Sequence, residues 1–267
     1  MQTIFLFFIT LTQLDPEIMN EKYFISFIPS DHNCQKEKIC SFEEVQKLPI
    51  HPNEIFIIDQ NINEENSISF FKWIQTISTI KIISGTPSTF SFSSIKRKDI
   101  LLTLNSMDLK LNNISFAGVT FPIIEAFSSF IVLNNVSLFN SILDSKSFFK
   151  FQACKGSILS FQAINCSTHS NFFNITDSNY SIKSFSTKSC QILGNDCSLL
   201  DLNNSYVSIF GFSLSNINCS SSLFVAEFSQ VNITKIQIQN SQVKYYMALS
   251  SSVLSMKKNP KSFINNS

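Results

Sequence analysis

Two carboxylates, Glu125 and Asp201, stand at equivalent places in a repetitive sequence and come closest to a catalytic pattern. If successive repeats stack as β-strands, three repeats separate these two side chains by roughly 14 Å. Paired glycosidase carboxylates lie roughly 5 to 9.5 Å apart. The spacing therefore argues against a general acid and a general base that act together. We expect Glu125 to pair instead with Lys150, its neighbour in the same outward stripe. The other members of this stripe are Thr103, Asn174 and Val225.

Histidine and tryptophan offer little further chemistry. Of the three histidines, His32, His51 and His169, only His32 has a second ligand type nearby, Cys34, and a zinc site needs three or four ligands. The single tryptophan, Trp73, lies in an apolar run and is expected in the core or a cap rather than on a sugar-binding surface. The sequence predicts no catalytic residue, no metal site and no bound cofactor.

The seven cysteines are an odd number, so they cannot all pair within one chain. Cys34 and Cys40 flank a short charged loop and are the candidate disulfide. Cys166, Cys190 and Cys219 fall near the ends of successive repeats, where stacking would bring neighbours within disulfide reach. The alternative is that these three stay free and pack as small apolar side chains.

The first residues, 1–14, resemble a secretory signal peptide. Apolar residues run from Ile4 to Ile9 without interruption, which fits an h-region and is too short to span a bilayer. Because no basic residue precedes this run and no small-residue cleavage site follows it before Asp15, an apolar first strand or a misplaced start codon is the alternative. No later run is long enough for a membrane span, so none is expected.

Asparagine sequons agree with a secreted or extracellular surface location, although a chain this rich in Asn and Ser produces several by chance. The candidate N-glycosylation sites are Asn113, Asn135, Asn165, Asn174, Asn179, Asn203, Asn218, Asn232 and Asn265.

Between Ile100 and Gln242 the chain repeats a unit of roughly two dozen residues six times. An apolar doublet opens each repeat, and a second alternating apolar segment follows about a dozen residues later. Alternation at period two predicts strands, and stacked repeats would place like residues above one another in inward columns. The doublets are Leu101-Leu102, Ile123-Ile124, Phe148-Phe149, Phe172-Phe173, Leu199-Leu200 and Leu223-Phe224. The predicted columns are Phe149, Phe173, Leu200 and Phe224, and Phe161, Phe185, Phe212 and Ile236.

Asparagines at the ends of these segments, such as Asn113 and Asn135, tolerate the left-handed backbone that a tight bend requires. We find no helix-period segment of ten or more residues between the strands, which argues against βαβ folds and helical repeats. Leucine-rich repeats are the main rival, but their Leu-x-x-Leu-x-Leu-x-x-Asn pattern is not kept here.

From Ser41 to Gln242 the chain resembles the pectin lyase-like right-handed parallel β-helix superfamily. Ser41-Phe-Glu-Glu-Val-Gln looks like its N-terminal capping helix, in which Glu44 would complete a capping box with Ser41. His51-Pro-Asn-Glu-Ile-Phe-Ile-Ile-Asp and Ile80-Lys-Ile-Ile-Ser-Gly look like early strands. The resemblance implies an all-β, right-handed, single-stranded parallel β-helix (a solenoid) with a short N-terminal capping helix.

Among members of that superfamily, the composition is similar to non-catalytic surface repeat proteins of parasitic protists, which are related to polymorphic outer membrane proteins. The catalytic signatures of the enzymes, Asn-Thr-Asp, Asp-Asp, Gly-His-Gly and Arg-Ile-Lys, do not occur in the sequence. The expected organisation is a signal peptide over 1–14, an N-terminal cap and first coils over 20–98, β-helix repeats over 99–242, and a C-terminal cap and polar tail over 243–267.

A net charge of +1 with scattered charges argues against nucleic acid as a partner. We expect a monomeric, non-enzymatic, secreted or surface protein with a structural or adhesin-like role. Its partners would be host or cell-surface glycans or proteins. The alternatives are a polysaccharide lyase or hydrolase, and an inactive relative that still binds glycans.

Overall fold

A computed structural model describes residues 22–28, 34, 39–48, 52–92, 99–144, 146–250 and 253–257 of the chain. These residues form a parallel β-solenoid of about eight coils, with two helices near its N-terminal end. The all-β parallel β-helix that the repeat predicts is therefore confirmed.

The N-terminal part alternates short strands with the two helices. Its elements are β1 (Lys22–Ser26), β2 (Ile39–Ser41), α1 (Phe42–Gln46), β3 (Glu54–Ile57), β4 (Asn61–Ile62), α2 (Glu64–Ile74) and β5 (Thr79–Ser91).

The repeats follow as strands separated by tight bends. The strands are β6 (Leu102–Asn105), β7 (Asp108–Ala117), β8 (Ile124–Phe127), β9 (Phe130–Phe139), β10 (Ile142–Leu143), β11 (Phe149–Gln152), β12 (Lys155–Ile158), β13 (Phe161–Ile164), β14 (Ser167–Thr168), β15 (Phe173–Thr176), β16 (Asn179–Ile182), β17 (Phe185–Lys188), β18 (Gln191–Ile192), β19 (Leu200–Asn203), β20 (Tyr206–Ser215), β21 (Asn218–Glu227), β22 (Gln230–Gln239), β23 (Gln242–Ser250) and β24 (Val253–Lys257).

Each strand pairs with the equivalent strand of the next coil, in parallel. One sheet of 10 strands contains the doublet strands β6, β8, β11, β15 and β19 side by side. A second sheet of 14 strands contains the alternating segments that follow each doublet, together with β1 to β5. Several strands, such as β9 and β20, bend around a corner and so belong to two faces of the coil. The core lies inside the coil, between these faces.

Inward aromatic side chains stack along the coil axis. Phe149 lies on Phe173 with ring centroids 4.6 Å apart and planes inclined by 12°. In the second column Phe185 lies on Phe212 at 4.8 Å and 8°. Phe161 and Phe173 join the two columns edge to face, with ring centroids 5.1 Å apart. The strand register aligns every member of both predicted columns, which are therefore confirmed.

The bends use residues with left-handed backbone. Asparagine is the commonest residue there, for example Asn113 (φ 59°), Asn135 (φ 52°) and Asn204 (φ 47°). Its short polar side chain makes this conformation affordable without glycine. Stacked corner asparagines also bond to each other, since Asn135 Nδ2 donates to Asn113 Oδ1 at 2.7 Å. The bend chemistry predicted from the sequence agrees with these backbone angles.

A row of buried hydroxyls and one thiol connects the coils at the corner after each doublet strand. We call this set the first corner row: Ser129, Cys154, Ser178, Ser205 and Ser229. Ser178 is typical, because its Oγ accepts from the Cys154 N–H at 2.9 Å and donates to the Thr176 carbonyl at 2.6 Å. The Cys154 sulfur accepts the Ser129 N–H at 3.4 Å in the same way. Each row member thus satisfies a buried N–H of the preceding coil, which the bend has removed from the strand ladder.

The predicted capping helix is present as α1. Its capping box is complete, because Glu44 Oε2 accepts from the Ser41 N–H at 2.8 Å while the Glu44 N–H donates to Ser41 Oγ at 3.3 Å. Phe42 of this helix packs edge-on against Trp73, with ring centroids 5.7 Å apart. Trp73 is buried, so the interpretation of this residue as core or cap is correct. Helix α1 and the aromatic cluster beneath it cover the N-terminal coil.

Helix α2 lies ahead of the repeats and was not predicted from the sequence, whereas the described residues of the repeats contain strands and no helix, as expected. Helix α2 spans 11 residues, and Asn63 caps it by accepting from the Asn66 N–H at 2.9 Å. Ser67, Phe70, Phe71 and Ile74 are buried at the i, i+3, i+4, i+7 spacing of an amphipathic helix.

None of the helices in the described ranges is long and apolar enough to cross a bilayer.

Of the expected C-terminal cap and tail over 243–267, residues 251–252 and 258–267 lie outside the described residues, and the remainder forms strands. Strand β23 pairs in parallel with β21, and β24 pairs with β22, so the coil continues through Lys257. Alternation in the sequence persists beyond Gln242, which explains why the chain keeps coiling. Side chains that would be covered by another coil stay exposed, with Tyr245 at 55% and Leu249 at 46%.

The inward column predicts a large cost for Phe173→Ala. The variant should lose about 3 to 5 kcal/mol of unfolding free energy, because the deleted ring is fully buried and leaves a cavity. Chemical denaturation followed by circular dichroism measures this. Phe130→Ala, at an exposed strand position, should cost far less. Equal losses in the two variants would contradict the assigned column.

The first corner row predicts that Ser178→Ala costs about 1 to 3 kcal/mol, because the buried Cys154 N–H loses its acceptor. Ser178→Cys should recover part of this loss, since Cys154 already fills the same role one coil earlier. Ser181→Ala, on the adjacent strand, serves as the control. If all three variants unfold at the same denaturant concentration as wild type, the first corner row contributes no stability.

Candidate functional site

The doublet strands carry a stripe of outward side chains on the 10-stranded sheet. Parallel register places these residues side by side in the order predicted from the sequence: Thr103, Glu125, Lys150, Asn174, Asp201 and Val225. Lys150 and Asn174 occupy the two coils between the carboxylates of Glu125 and Asp201. The stripe therefore separates these two acids, as the repeat spacing indicates.

Glu125 and Lys150 form an ion pair with 2.7 Å between Oε1 and Nζ. Their side chains are 19% and 43% exposed, so solvent screens the attraction and the pair contributes under ~1 kcal/mol. The Lys150 ammonium also lies 5.5 Å from the centroid of the Phe127 ring. These contacts fix the lysine in place beside a shallow cleft of about 330 Å³, whose lining includes Glu125, Lys150, Asn171 and Asn174.

Asp201 lies in a network of amides. Its Oδ2 accepts from Asn171 Nδ2 at 2.8 Å and from Asn174 Nδ2 at 3.2 Å. Asn171 is itself held by Ser198, whose N–H and Oγ donate to Asn171 Oδ1 at 2.8 and 3.1 Å. Burial, and then the nearby Glu227, raise the pKa of Asp201, while the bond from Asn171 opposes this shift.

A second cleft of about 540 Å³ lies over Asp201. Asn171 and Asp196 contribute polar groups to its lining, while Val225, Met247 and Tyr245 contribute apolar surface. Asn171 lines both clefts, so the two lie side by side on this face. We call the two clefts together the groove. It offers a fixed carboxylate, amides and an ammonium on one side and an exposed aromatic ring at one end.

Several groove residues were not among the candidates from the sequence. Asn171 stands just ahead of the doublet Phe172-Phe173, Asp196 lies in a turn, and Tyr245 belongs to the last coil. The place of Asn171 directly before a doublet could have indicated that it lies near the outward stripe. Asp196 and Tyr245 carried no signal, because variable turns and coil ends lie outside the repeat pattern.

Within the described part of the chain, histidine forms no metal or catalytic site. His169 Nδ1 lies 3.5 Å from Asp144 Oδ1 in an exposed turn. No cluster of three or more His, Cys, Asp or Glu side chains suited to a metal occurs within the described ranges. His32, His51, Asn265 and residues 1–14, which the sequence predicts to be a signal peptide, lie outside the described residues.

Sequon asparagines are spread over several faces of the coil. Asn135, Asn165, Asn179, Asn203 and Asn218 are exposed. The partly buried ones are Asn113, Asn174 and Asn232. Among them, Asn174 uses its amide nitrogen to hold Asp201 and Asn113 uses its own to reach the Ser84 carbonyl. Asn135 and Asn165 of the exposed group also donate from their amide nitrogens, to Asn113 and Asn140, so the two groups differ in exposure and not in hydrogen bonding.

A disulfide joins Cys34 and Cys40, whose Cα atoms are 4.4 Å apart, beside the capping helix. Cys154, Cys166, Cys190, Cys197 and Cys219 are buried thiols. Only two of the three repeat-end cysteines stack: Cys219 pairs with Ile192, two residues beyond Cys190. Asn165 and Asn218 both begin an Asn-Cys-Ser motif, but they are not equivalent positions in the coil. Asn165 is a corner residue, whereas Asn218 lies two residues past the corner at Asn216.

Comparison of the sequence with protein-family models finds no match, and comparisons with curated proteins and with solved structures find none either.

Asp201 predicts a specific pH dependence of stability. A raised pKa means that the folded chain holds the proton more tightly than the unfolded chain, so stability falls as pH rises from the ordinary value of 3.8 through the folded pKa. Asp201→Asn removes this dependence, and wild type should lose stability relative to the variant across that window. Urea unfolding of both proteins over a pH series measures it.

Glu227→Gln is the matched control, because it keeps Asp201 but removes a neighbouring negative charge. In that variant the pH range over which stability falls should end at a lower pH, because the pKa of Asp201 is raised less. Parallel pH profiles for wild type and Asp201→Asn would show that the carboxyl titrates as it does in the unfolded chain.

Proposed function

We propose that this protein is a non-enzymatic, secreted or surface-displayed β-helix with an adhesin-like role, which binds glycans or proteins of a host or cell surface through the groove. The observation that carries the proposal is that two adjacent clefts share Asn171 and follow the outward stripe over several coils. Together they give a binding face in which the hydrogen-bonding groups are already positioned.

Positioning matters because ordering flexible side chains on binding costs roughly 0.5 to 1.5 kcal/mol each. Asn171 is held by Ser198, and Lys150 by Glu125, before any ligand arrives. Fixed amides, a carboxylate and an ammonium suit the hydroxyl groups of sugars or the polar side chains of a protein. The exposed ring of Tyr245 adds an apolar surface against which a sugar face or an aliphatic side chain can pack.

A polysaccharide lyase or hydrolase is the second candidate, and one observation favours it. Asp201 has a raised pKa and stands near Glu227, with Asp196 lining the same cleft. A carboxylic acid with a raised pKa is the usual general acid of a glycosidase. Against this, Oδ2 of Asp201 is occupied by two amide donors, which stabilise its charged form.

The two candidates make opposite predictions for turnover. Full-length protein should release no reducing ends and no unsaturated products from pectin, polygalacturonate or mucin-type glycans, even at high protein concentration. On a glycan array, Asp201→Ala should weaken any binding about tenfold or more, because the amides of Asn171 and Asn174 lose their partner. Asp177→Asn, at an exposed corner outside the groove lining, should bind like wild type.

Product formation that is lost in Asp201→Asn would replace the binding proposal by the enzymatic one. Binding without product, weakened by Asp201→Ala only, supports the adhesin-like role. Neither binding nor product would leave a structural surface role.

A further inference from the structure

Two buried cysteines occupy the same position in consecutive coils, at the corner that precedes β14 and β18. The Gln191 N–H donates to the Cys166 carbonyl at 2.8 Å, which places Cys190 directly beside Cys166 along the coil axis. The following residues, Ser167 and Gln191, are register partners in the sheet. The thiols of Cys166 and Cys190 point into the coil and are 2% and 0% exposed.

This second corner row repeats the bonding of the first. Ser141 Oγ accepts the Val119 N–H at 3.0 Å, and Ser241 Oγ accepts the Ile217 N–H at 3.1 Å. Between these two serines the same corner position is occupied by Cys166, then by Cys190, and then by Ile217. Strand spacing of about 4.8 Å lies inside the Cα separation of roughly 4.4 to 6.8 Å that disulfides accept.

We propose that Cys166 and Cys190 form a disulfide that joins two adjacent coils when the chain folds in the presence of a small-molecule disulfide such as oxidised glutathione. The bond joins two residues that the strand register already holds side by side. It goes beyond the proposed binding function and does not depend on it.

The exchange takes place in two steps while the corner is still open. The Cys190 thiolate attacks oxidised glutathione, forms a mixed disulfide and releases one glutathione thiolate. The Cys166 thiolate then attacks the Cys190 sulfur and releases the second glutathione, so that two protein thiols are oxidised and one disulfide is reduced to two thiols. The two protons pass to the released glutathione. The two cysteines can also react in the opposite order, because neither thiol is buried while the corner is open.

The other buried thiols have different neighbours along their columns. Cys154 lies in the first corner row between Ser129 and Ser178. Cys219 stacks on Ile192, and the Cys197 thiol donates to the His169 carbonyl at 2.9 Å. The register therefore selects the pair Cys166 and Cys190, and Cys154 provides a matched control in an equivalent environment.

The test refolds the full chain with oxidised and reduced glutathione and, separately, with reductant only. Digestion after lysine combined with cleavage before aspartate separates Cys166 from Cys154 and Cys190 from Cys197, so mass spectrometry identifies the linked peptides. We expect the linked pair in the oxidised sample alone. The melting temperature should be higher than in the reduced sample by on the order of 5 to 10 °C.

Variants assign the shift to this bond. Cys190→Ser introduces the side chain that Ser141 and Ser241 already place in this row, and it should remove the difference between oxidised and reduced samples that this bond causes. Cys154→Ser should keep the difference between oxidised and reduced samples, because serine is the usual residue of the first corner row. A background that carries Cys34→Ser and Cys40→Ser excludes the N-terminal disulfide as the source. Absence of the linked peptide after oxidative refolding, or linkage of Cys190 to Cys197 or Cys219 instead, overturns the proposal.

Discussion

The structure depends on satisfying the backbone wherever the coil turns. A parallel ladder pairs the N–H and carbonyl groups of straight segments, but a bend into left-handed backbone takes the next N–H out of that ladder. The corner rows supply the missing acceptors: Ser178 bonds to the N–H of Cys154, and Ser205 to that of Ser178. Because these groups are buried, each unpaired one would cost about 1 to 3 kcal/mol. The rows therefore fix the coils in register, and the register aligns both the inward columns and the outward stripe.

Positions inside the repeat could be predicted from the sequence because strand spacing leaves them no freedom. Once Phe149 and Phe173 are recognised as equivalent, the stripe residues beside them, Lys150 and Asn174, must be neighbours. Turns obey no such rule, since the doublets are separated by different numbers of residues and the extra ones are absorbed between corners. This explains why Asp196 was missed and why Cys219 was placed one column away from its true position.

Helix α2 shows a different limit. Its signals were ordinary, with Asn63 as the cap and an apolar face built from Phe70, Phe71 and Ile74. Such a segment is not part of the repeating strand pattern, so that pattern does not predict it. Its aromatic side chains nevertheless complete the N-terminal core. Phe70 stacks on Phe90 of β5 with ring centroids 5.5 Å apart, so the helix fills space that the first coils leave open. Packing of this kind joins distant parts of the chain, and the repeat alone cannot indicate it.

Each member of a corner row bonds to the coils directly before and after it. One complete coil is therefore the smallest unit by which the fold can be lengthened or shortened. A stretch of sequence can be gained or lost without disturbing the rest only if it runs from one corner to the same corner of the next coil. An insertion of that size would lengthen the outer face by about 4.8 Å and bring in one new stripe residue. Evolution could therefore adjust the reach of the groove in discrete increments while every older residue kept its neighbours.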